Sequence, residues 1–502
     1  MRILVTGATG YVGSKLVPKL IEAGHEVTCM VRNRSRVSEQ GLAGARLVQA
    51  DALDAAGLLP VLEVIDVAYY LIHSMAGEKA GFAERDRRAA SNFATAAKQA
   101  GVRRIIYLGG LTTQTSAISA HLKSRQETGA VLREFGPPVT EFRAGIIVGN
   151  GSVSFEMIRY LTERLPVMIC PRWVVTRTQP IAISNVLEYL VATLEEPRSA
   201  GEIIEIGGAT VETYRSMMLV YAHTRGLRRW LLRVPVLTPR LSSYWLNLVT
   251  PIPATIARPL IEGLRTEVVC TRPSAQSLFP AICPISYTAA VEAAAERPVP
   301  DESFQRVVPE NAKHACVRRE GLICDARQTA VQAPPERVFA VLQNLGGERG
   351  WPYANLLWQL RGWIDHLLGG VGMSRGRSHK GPFRAGEYVD FWRVEQVECS
   401  KSLLLRAEMK LPGRAWLQFL LTPHAQGETL LRCQAWFEPR GLAGELYWWL
   451  LYPIHCLIFR GMLKMLQSQS QEGQQSLLME SLACEKPAAA DEEKKTSTTQ
   501  NL

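Results

Sequence analysis

Met1-Arg-Ile-Leu-Val-Thr-Gly-Ala-Thr-Gly-Tyr-Val-Gly13 opens the chain, and the order of residue types in it decides the fold. Ile3-Leu4-Val5 reads as a short buried strand and Ser14–Ala23 as a helix, with Gly7, Gly10 and Gly13 punctuating the turn between them. A strand, a glycine-spaced turn and a helix make a phosphate cradle. Gly7 permits the tight turn, Gly10 lets the backbone approach a pyrophosphate, and Gly13 lets the helix close on the strand. The helix N-terminus adds unpaired N–H groups and a partial positive charge. Thr9, Tyr11 and Val12 lie in the same turn and are read with it as cofactor-binding residues. Three glycines could shape a tight turn and nothing more. Here a second strand, His25–Val31, follows at the expected distance with a polar segment behind it, so the reading is a nicotinamide dinucleotide site.

The end of that second strand bears on which dinucleotide. An acidic residue there would bond the ribose 2′-hydroxyl of NAD, but the sequence is Met30-Val31-Arg32-Asn33-Arg34. Guanidinium groups bind phosphate through paired donors, so Arg32 and Arg34 point to the 2′-phosphate of NADP. NAD is the alternative, with both arginines as solvated loop charges. Asp51 follows the third strand, where it could reach the adenine edge or cap the next helix; both readings stay open. His73 and Ser74, in Ile72-His73-Ser74-Met75, fall just past the fourth strand, on the carboxyl edge where ligands sit in open α/β sheets, and are read as bordering the cofactor.

Outward from this stretch, strands and helices alternate as a parallel sheet requires. Strands are expected at Ala45–Gln49, Val64–Ile72, Val102–Leu108 and Val139–Ile147, and a helix at Arg85–Ala100 with a face of Ala89, Ala90, Phe93, Ala96 and Ala97. Residues 150–300 are less regular: a helix at Ser154–Arg164, a short strand at Ala182-Ile183, a capping box formed by Asn185 and Glu188, and a strand at Glu202–Ile206. This part is expected to cover the reactive end of the cofactor and shape a substrate pocket, completing a Rossmann-type α/β domain over residues 1–300. Arg297-Pro298-Val299-Pro300 and a charged stretch mark a linker at 301–325.

A different pattern occupies 326–470: a strand at Thr329–Ala333, a helix Arg337–Asn344 opened by Pro334-Pro335-Glu336, four alternating segments at Tyr388–Val397, Ser402–Lys410, Ala415–Thr422 and Thr429–Glu438, and a closing helix near Ala443–Gln467. Successive hairpins of this kind give an antiparallel sheet, so the second domain is α+β. The tail 484–502 lacks apolar residues and is expected to be disordered.

At 502 residues the chain suits two or three domains. Its net charge of +10 is spread along the sequence. The densest basic cluster, Arg225, Arg228, Arg229 and Arg233 around Trp230-Leu231-Leu232, could touch an anionic membrane or nucleic acid but is read as a solvated helix face with an apolar underside, and nucleic acid is not expected as a partner. Ten cysteines without CxxC pairs argue against a metal site or a disulfide framework and for a reducing, cytoplasmic compartment. The chain begins on a strand, so no signal peptide is expected. Leu446–Phe459 is apolar but short for a span, contains Pro453 and His455, and is bounded by Glu445 and Arg460. It reads as a buried or interfacial helix, which leaves peripheral membrane contact open.

Residues 1–300 resemble the atypical short-chain dehydrogenase/reductase group, near its NmrA-like and complex-I-accessory branches. The strings that carry this are Thr6-Gly-Ala-Thr-Gly-Tyr-Val-Gly13, Ala68-Tyr-Tyr-Leu-Ile-His-Ser-Met75, Arg143-Ala-Gly-Ile-Ile-Val-Gly149 and Gln179-Pro-Ile-Ala-Ile183. Residues 325–470 resemble START-like (SRPBCC, helix-grip) domains through Val331-Gln-Ala-Pro-Pro-Glu-Arg-Val-Phe339 and Gly386-Glu-Tyr-Val-Asp-Phe-Trp392. The pairing is similar to bacterial oxidoreductase-like proteins.

The first resemblance implies a Tyr-x-x-x-Lys pair with a strand-end Ser, and this chain departs from it. Gly109 or Gly110 stands in the serine's place, His121 in the tyrosine's and Arg125 in the lysine's. Either His121 exchanges the proton while Arg125 clamps the ribose and disfavours the imidazolium, or both only hold the cofactor. Arg143 is placed within reach of the same edge, and Tyr69 and Tyr70 are read as strand packing. In the second domain, Trp351, Trp358, Trp363, Trp392, Trp416, Trp436, Trp448 and Trp449, with Phe391, Phe419 and Phe437, form either a packed core or, as the resemblance to lipid and polyketide binders implies, the walls of a cavity. The expected function is reduction of an apolar carbonyl or quinone-like substrate with NADPH, the second domain holding a hydrophobic small molecule (a quinone, lipid or aromatic). The alternative is a non-catalytic redox sensor or assembly factor.

Overall fold

The computed structural model describes residues 1–34, 42–73, 82–112, 119–234, 250, 263–264, 266–296, 312–372, 376–377, 381–424 and 427–484. The chain divides into two compact units, one made of Met1–Phe304 with Arg319–Gly321 and Arg440–Leu442, the other of Gln305–Arg318, Leu322–Pro439 and Ala443–Leu502.

The first unit is built on β1 (Arg2–Thr6), α1 (Tyr11–Glu22), β2 (Glu26–Val31), β3 (Arg46–Gln49), α2 (Ala55–Leu62), β4 (Val67–Tyr70), α3 (Phe82–Gln99), β5 (Arg104–Gly110), α4 (Ala120–Phe135) and β6 (Val139–Ala144). The sheet runs in the order β3-β2-β1-β4-β5-β6, with Ile203–Ile206 added beyond β6, and every pair is parallel. Strand alternation sends Ile3 and Val5 to one face, against Leu16, Val17 and Leu20 of α1. Leu4 goes to the other face, with Leu58, Phe93 and Ala97. Burial on both faces is what near-continuous apolar strands between helices require, and it makes this a doubly wound Rossmann-type α/β unit. Tyr69 and Tyr70 are both buried, the first with its hydroxyl donating to the Leu190 carbonyl at 2.6 Å and the second packed on Phe93.

Past β6, the helix α5 (Val153–Arg164) and the helices Tyr214–Thr224 and Tyr287–Ala295 share a separate cluster of buried residues. The capping box expected at Asn185 and Glu188 is not formed. The helix begins at Ile183 with Ala182 at its N-cap, so Asn185 lies inside the first turn. Its amide donates to Glu188 at 2.9 Å and its carbonyl accepts from the Ile285 N–H at 3.0 Å.

In the second unit, strands Tyr388–Val389, Trp392–Glu398, Ser402–Ala407, Gly413–Pro423 and Thr429–Pro439 form an antiparallel meander, which closes on Leu322–Val331 and then His314–Arg319. The linker placed at 301–325 is therefore too long at its carboxyl end, because 314–325 belongs to the sheet. Its residues look charged because His314–Arg319 is an edge strand with half-exposed side chains. Glu320 and Gly321, both at positive φ (52° and 79°), make the tight turn that joins it to its neighbour. The closing helix runs Gly441–Cys484, longer than expected, and Pro453 does not end it. Pro453 is exposed, as is Trp449 one turn earlier, so the carbonyl that loses its partner lies on the solvent side. Ile458, Phe459, Met462, Leu463 and Leu466 of this helix pack in the core of the second unit. The tail 485–502 lies outside the described residues.

Candidate functional site

In the first unit the strand order turns at β1 and β4, the neighbours from which the chain proceeds in opposite directions across the sheet, and ligands bind at such a point outside the carboxyl ends of the strands. The two strand ends are tied together by Thr6, whose hydroxyl donates to the Tyr69 carbonyl at 3.0 Å and accepts from the Leu71 N–H at 3.1 Å. Gly7 follows at φ +67°, where a Cβ would lie 2.6 Å from the Leu71 oxygen. A Cβ on Gly13 would lie 2.3 Å from the Gly7 oxygen, so the helix can approach this closely only without a side chain there. Gly10 is the N-cap of α1, and neither a capping side chain nor an acidic residue occupies the first turn. The N–H groups of that turn thus remain available to an anion.

Three polar atoms of the surrounding residues are buried without a hydrogen-bond partner: the Tyr11 hydroxyl, His73 Nε2 and Arg125 Nε. Buried groups of this kind ordinarily have partners. The glycine floor, the uncapped helix start and these three atoms fit a dinucleotide. Thr9 is exposed beside them, Tyr11 and Val12 are half-buried, and burial pushes the Tyr11 phenol well above its ordinary pKa.

Arg32 and Arg34 follow β2 as exposed side chains, and Arg34 borders a hollow with Gly44 and Arg46. Asp51 is exposed too, with its carboxylate accepting the Leu53 N–H at 3.0 Å. It holds a turn and does not cap α2, whose N-cap is Asp54. Ser74 lies outside the described residues.

A cavity of about 270 Å³ opens at the carboxyl ends of β5 and β6. Gly109 and Gly110 form part of its wall, as do His121 and Arg125, one turn apart on α4. Ser119 caps that helix, its hydroxyl accepting the Leu122 N–H. Much of the remaining lining is apolar, including Leu111, Ile146, Met157, Leu161 and Met218. Arg125 donates to the Leu108 carbonyl at 3.0 Å, which fixes its guanidinium beside β5. His73, past the end of β4, meets His121 edge-on with ring centroids 4.6 Å apart, and its Nδ1 lies 3.8 Å from an Asp86 oxygen.

Burial, then the charge of Arg125, lowers the His121 pKa to about 4. Burial followed by the charges of Arg125 and His121 lowers that of His73 to about 2. Both imidazoles are therefore neutral near pH 7. A neutral ring can offer an N–H to an oxygen in the cavity, whereas the imidazolium needed for a strong acid is scarce.

The structure thus brings His73, His121 and Arg125 together, the last two in the wall of the cavity and His73 packed against His121. Arg143 is directed elsewhere: its Nε donates to the buried Glu141 at 2.7 Å, and Arg133 pairs with the same carboxylate. Asp86 was not singled out in the sequence, and no spacing ties it to His73. The wall contributed by α5 was legible, since Ser154, Met157, Ile158 and Leu161 recur at helical spacing.

A second cavity, of about 200 Å³, lies within the second unit, where Trp358, Trp392, Trp416, Trp436, Trp448 and Phe437 are among its lining. Trp351, Phe391 and Phe419 are core residues. Trp363 and Trp449 belong to neither group, being 61% and 52% exposed.

Residues 7–136 match a family model described as NAD(P)H-binding. Residues 319–462 match one described as a protein of unknown function (DUF2867). The chain is 29% identical over 195 residues to the Photosystem II assembly factor Ycf39 of Cyanophora paradoxa, covering 39% of this chain and 58% of that protein. It is 30% identical over 142 residues to the chloroplastic divinyl chlorophyllide a 8-vinyl-reductase of Zea mays, covering 26% and 35%. The chain therefore spans less than two thirds of the length of these relatives. Among solved structures, the NADPH-dependent quinone oxidoreductase of Escherichia coli complexed with NADPH aligns at 20% identity over 58% of this chain and 99% of that one, with a TM-score of 0.47. The first unit carries an NAD(P)H-binding domain of Rossmann type.

Proposed function

We propose that this chain is an NADPH-dependent reductase of an apolar carbonyl or quinone-like acceptor. The observation that carries the reading is the mostly apolar cavity beside the dinucleotide cradle, with the neutral His121 and the cation Arg125 in its wall. When bound, the nicotinamide supplies a hydride. His121 offers an N–H to the acceptor oxygen and polarises it, and Arg125 holds negative charge beside the ring and keeps His121 unprotonated. The apolar walls exclude water. Arg32 and Arg34 take the 2′-phosphate of NADP. We read the second unit as START-like, with its aromatic cavity holding a hydrophobic molecule of the same class as the acceptor.

A second reading is favoured by one feature: glycine stands at the end of β5, and neither the tyrosine nor the lysine of the resembled family is present. On it the chain binds NADPH without turnover and acts as a redox sensor or assembly factor, as the name of the Cyanophora relative suggests. NADPH oxidation against a panel of quinones and aldehydes separates the two. The reductase reading expects turnover with at least one acceptor and, for His121→Ala, a fall in kcat of about a hundredfold with NADPH affinity retained. No oxidation with any acceptor favours the sensor. In the same titrations Arg32→Asp is expected to weaken NADPH about tenfold or more while sparing NADH; equal affinities would refute the assignment of NADP.

A further inference from the structure

We propose that the second unit docks on the surface of an anionic lipid bilayer through two apolar helix faces. The first belongs to the helix Asn355–Leu367. Leu356, Leu360, Trp363, Ile364 and Leu367 recur there at intervals of four, three, one and three residues, which puts them on one side, and they are 40–79% exposed. The second is on the amino-terminal half of Gly441–Cys484, where Leu446, Trp449, Leu450, Ile454 and Leu457 share a side and are 42–78% exposed. Single exposed leucines are ordinary on a protein surface, but two such ridges are not. They flank one opening, since Leu360 and Ile364 of the first helix and Ile454 of the second border the same aromatic cavity.

By length and composition, Gly441–Glu472 could cross a membrane. Its inner side argues for lying flat instead, because Trp448, Ile458, Phe459, Met462 and Leu463 are buried in the unit and a spanning helix would have to abandon them.

Charge identifies the occupant. Asp365, the only acid of the shorter helix, is fully buried and accepts the Lys410 and Gly372 N–H groups at 2.7 and 2.9 Å. Glu445, the only acid of the long helix before Glu472, is buried and paired with Arg318. The exposed charges along the ridge side are the cations Arg460 and Lys464. Apolar side chains that enter the acyl boundary, indoles that favour the headgroup level, and cations without exposed acids fit an anionic bilayer. A symmetric pairing of two copies through these faces would set like charges together.

The test is flotation of the full-length protein with vesicles of phosphatidylcholine alone and of phosphatidylcholine mixed with phosphatidylglycerol. Co-flotation with the anionic vesicles, weaker with the neutral ones, is expected. Leu360→Glu/Leu450→Glu changes only exposed positions and should lower binding about tenfold or more with an unchanged circular dichroism spectrum. Arg460→Glu/Lys464→Glu should weaken binding to anionic vesicles selectively, a second arm that does not depend on the leucine variant folding. Absence of flotation with both vesicles, or full binding by both variants, overturns the proposal. So does a dimer in light scattering that Leu360→Glu/Leu450→Glu converts to monomer, which would assign the faces to a second copy.

Discussion

His121 and His73 lie edge to edge beside a fixed cation, and remaining uncharged is the condition of their burial. In the unfolded chain both have the ordinary histidine value of 6.5, whereas folding lowers His121 to about 4 and His73 to about 2. Below pH 6.5 the unfolded state takes up protons that the folded state refuses. The stability linked to these rings is therefore complete above pH 6.5 and is lost progressively as the pH falls toward 4 and below. Urea unfolding at pH 7, 6 and 5 should show the midpoint of the first unit falling with acid, and His121→Asn should flatten that slope; an equally steep slope in the variant contradicts it. Where turnover is present, the same neutrality predicts no inflection near pH 6.5 in kcat. The sequence placed His121 and Arg125 on one face of one helix, because a separation of four residues says so locally. It put His73 at the same sheet edge but could not set its ring against His121 or bring Asp86 to His73. Those meetings depend on which strand lies beside which, and no local pattern encodes that.

At the scale of elements, the edge strand His314–Arg319 and the long helix are joined by the bidentate pair of Arg318 and Glu445, with one arm at 2.6 Å and both side chains largely buried. Removing one partner of such a pair strands the other charge, so Glu445→Ala is expected to destabilise the second unit by about 3–5 kcal/mol. Replacing both residues with leucine should recover much of the loss, and denaturant midpoints of the three proteins check both statements. This strand also shows why the sequence misled at 314–325. An edge strand needs only one buried side, and Arg318 and Arg319 made it look like a linker. The turn at Gly7–Gly13 was legible for the opposite reason, since contacts of 2.3–2.6 Å to backbone atoms leave glycine as the only residue that fits at two of its positions. Trp363 and Trp449 were read with the interior aromatics on residue type alone, and helical phase puts them outside.

For the whole molecule, two separate cores predict two unfolding transitions. NADPH at a hundred times its dissociation constant should raise the first-unit transition by about 2.7 kcal/mol and leave the other unmoved. Calorimetry with and without NADPH checks this, and a single transition shifted as a whole would contradict it. How much of the coenzyme's intrinsic affinity survives depends on what has to be assembled on arrival. The Thr6 hydroxyl, at the end of β1, gives to the Tyr69 carbonyl and takes from the Leu71 N–H at the end of β4, and so sets the spacing of the two strand ends before any nucleotide is present. A coenzyme meets a seat already at its final height and forfeits little of its grip to building one.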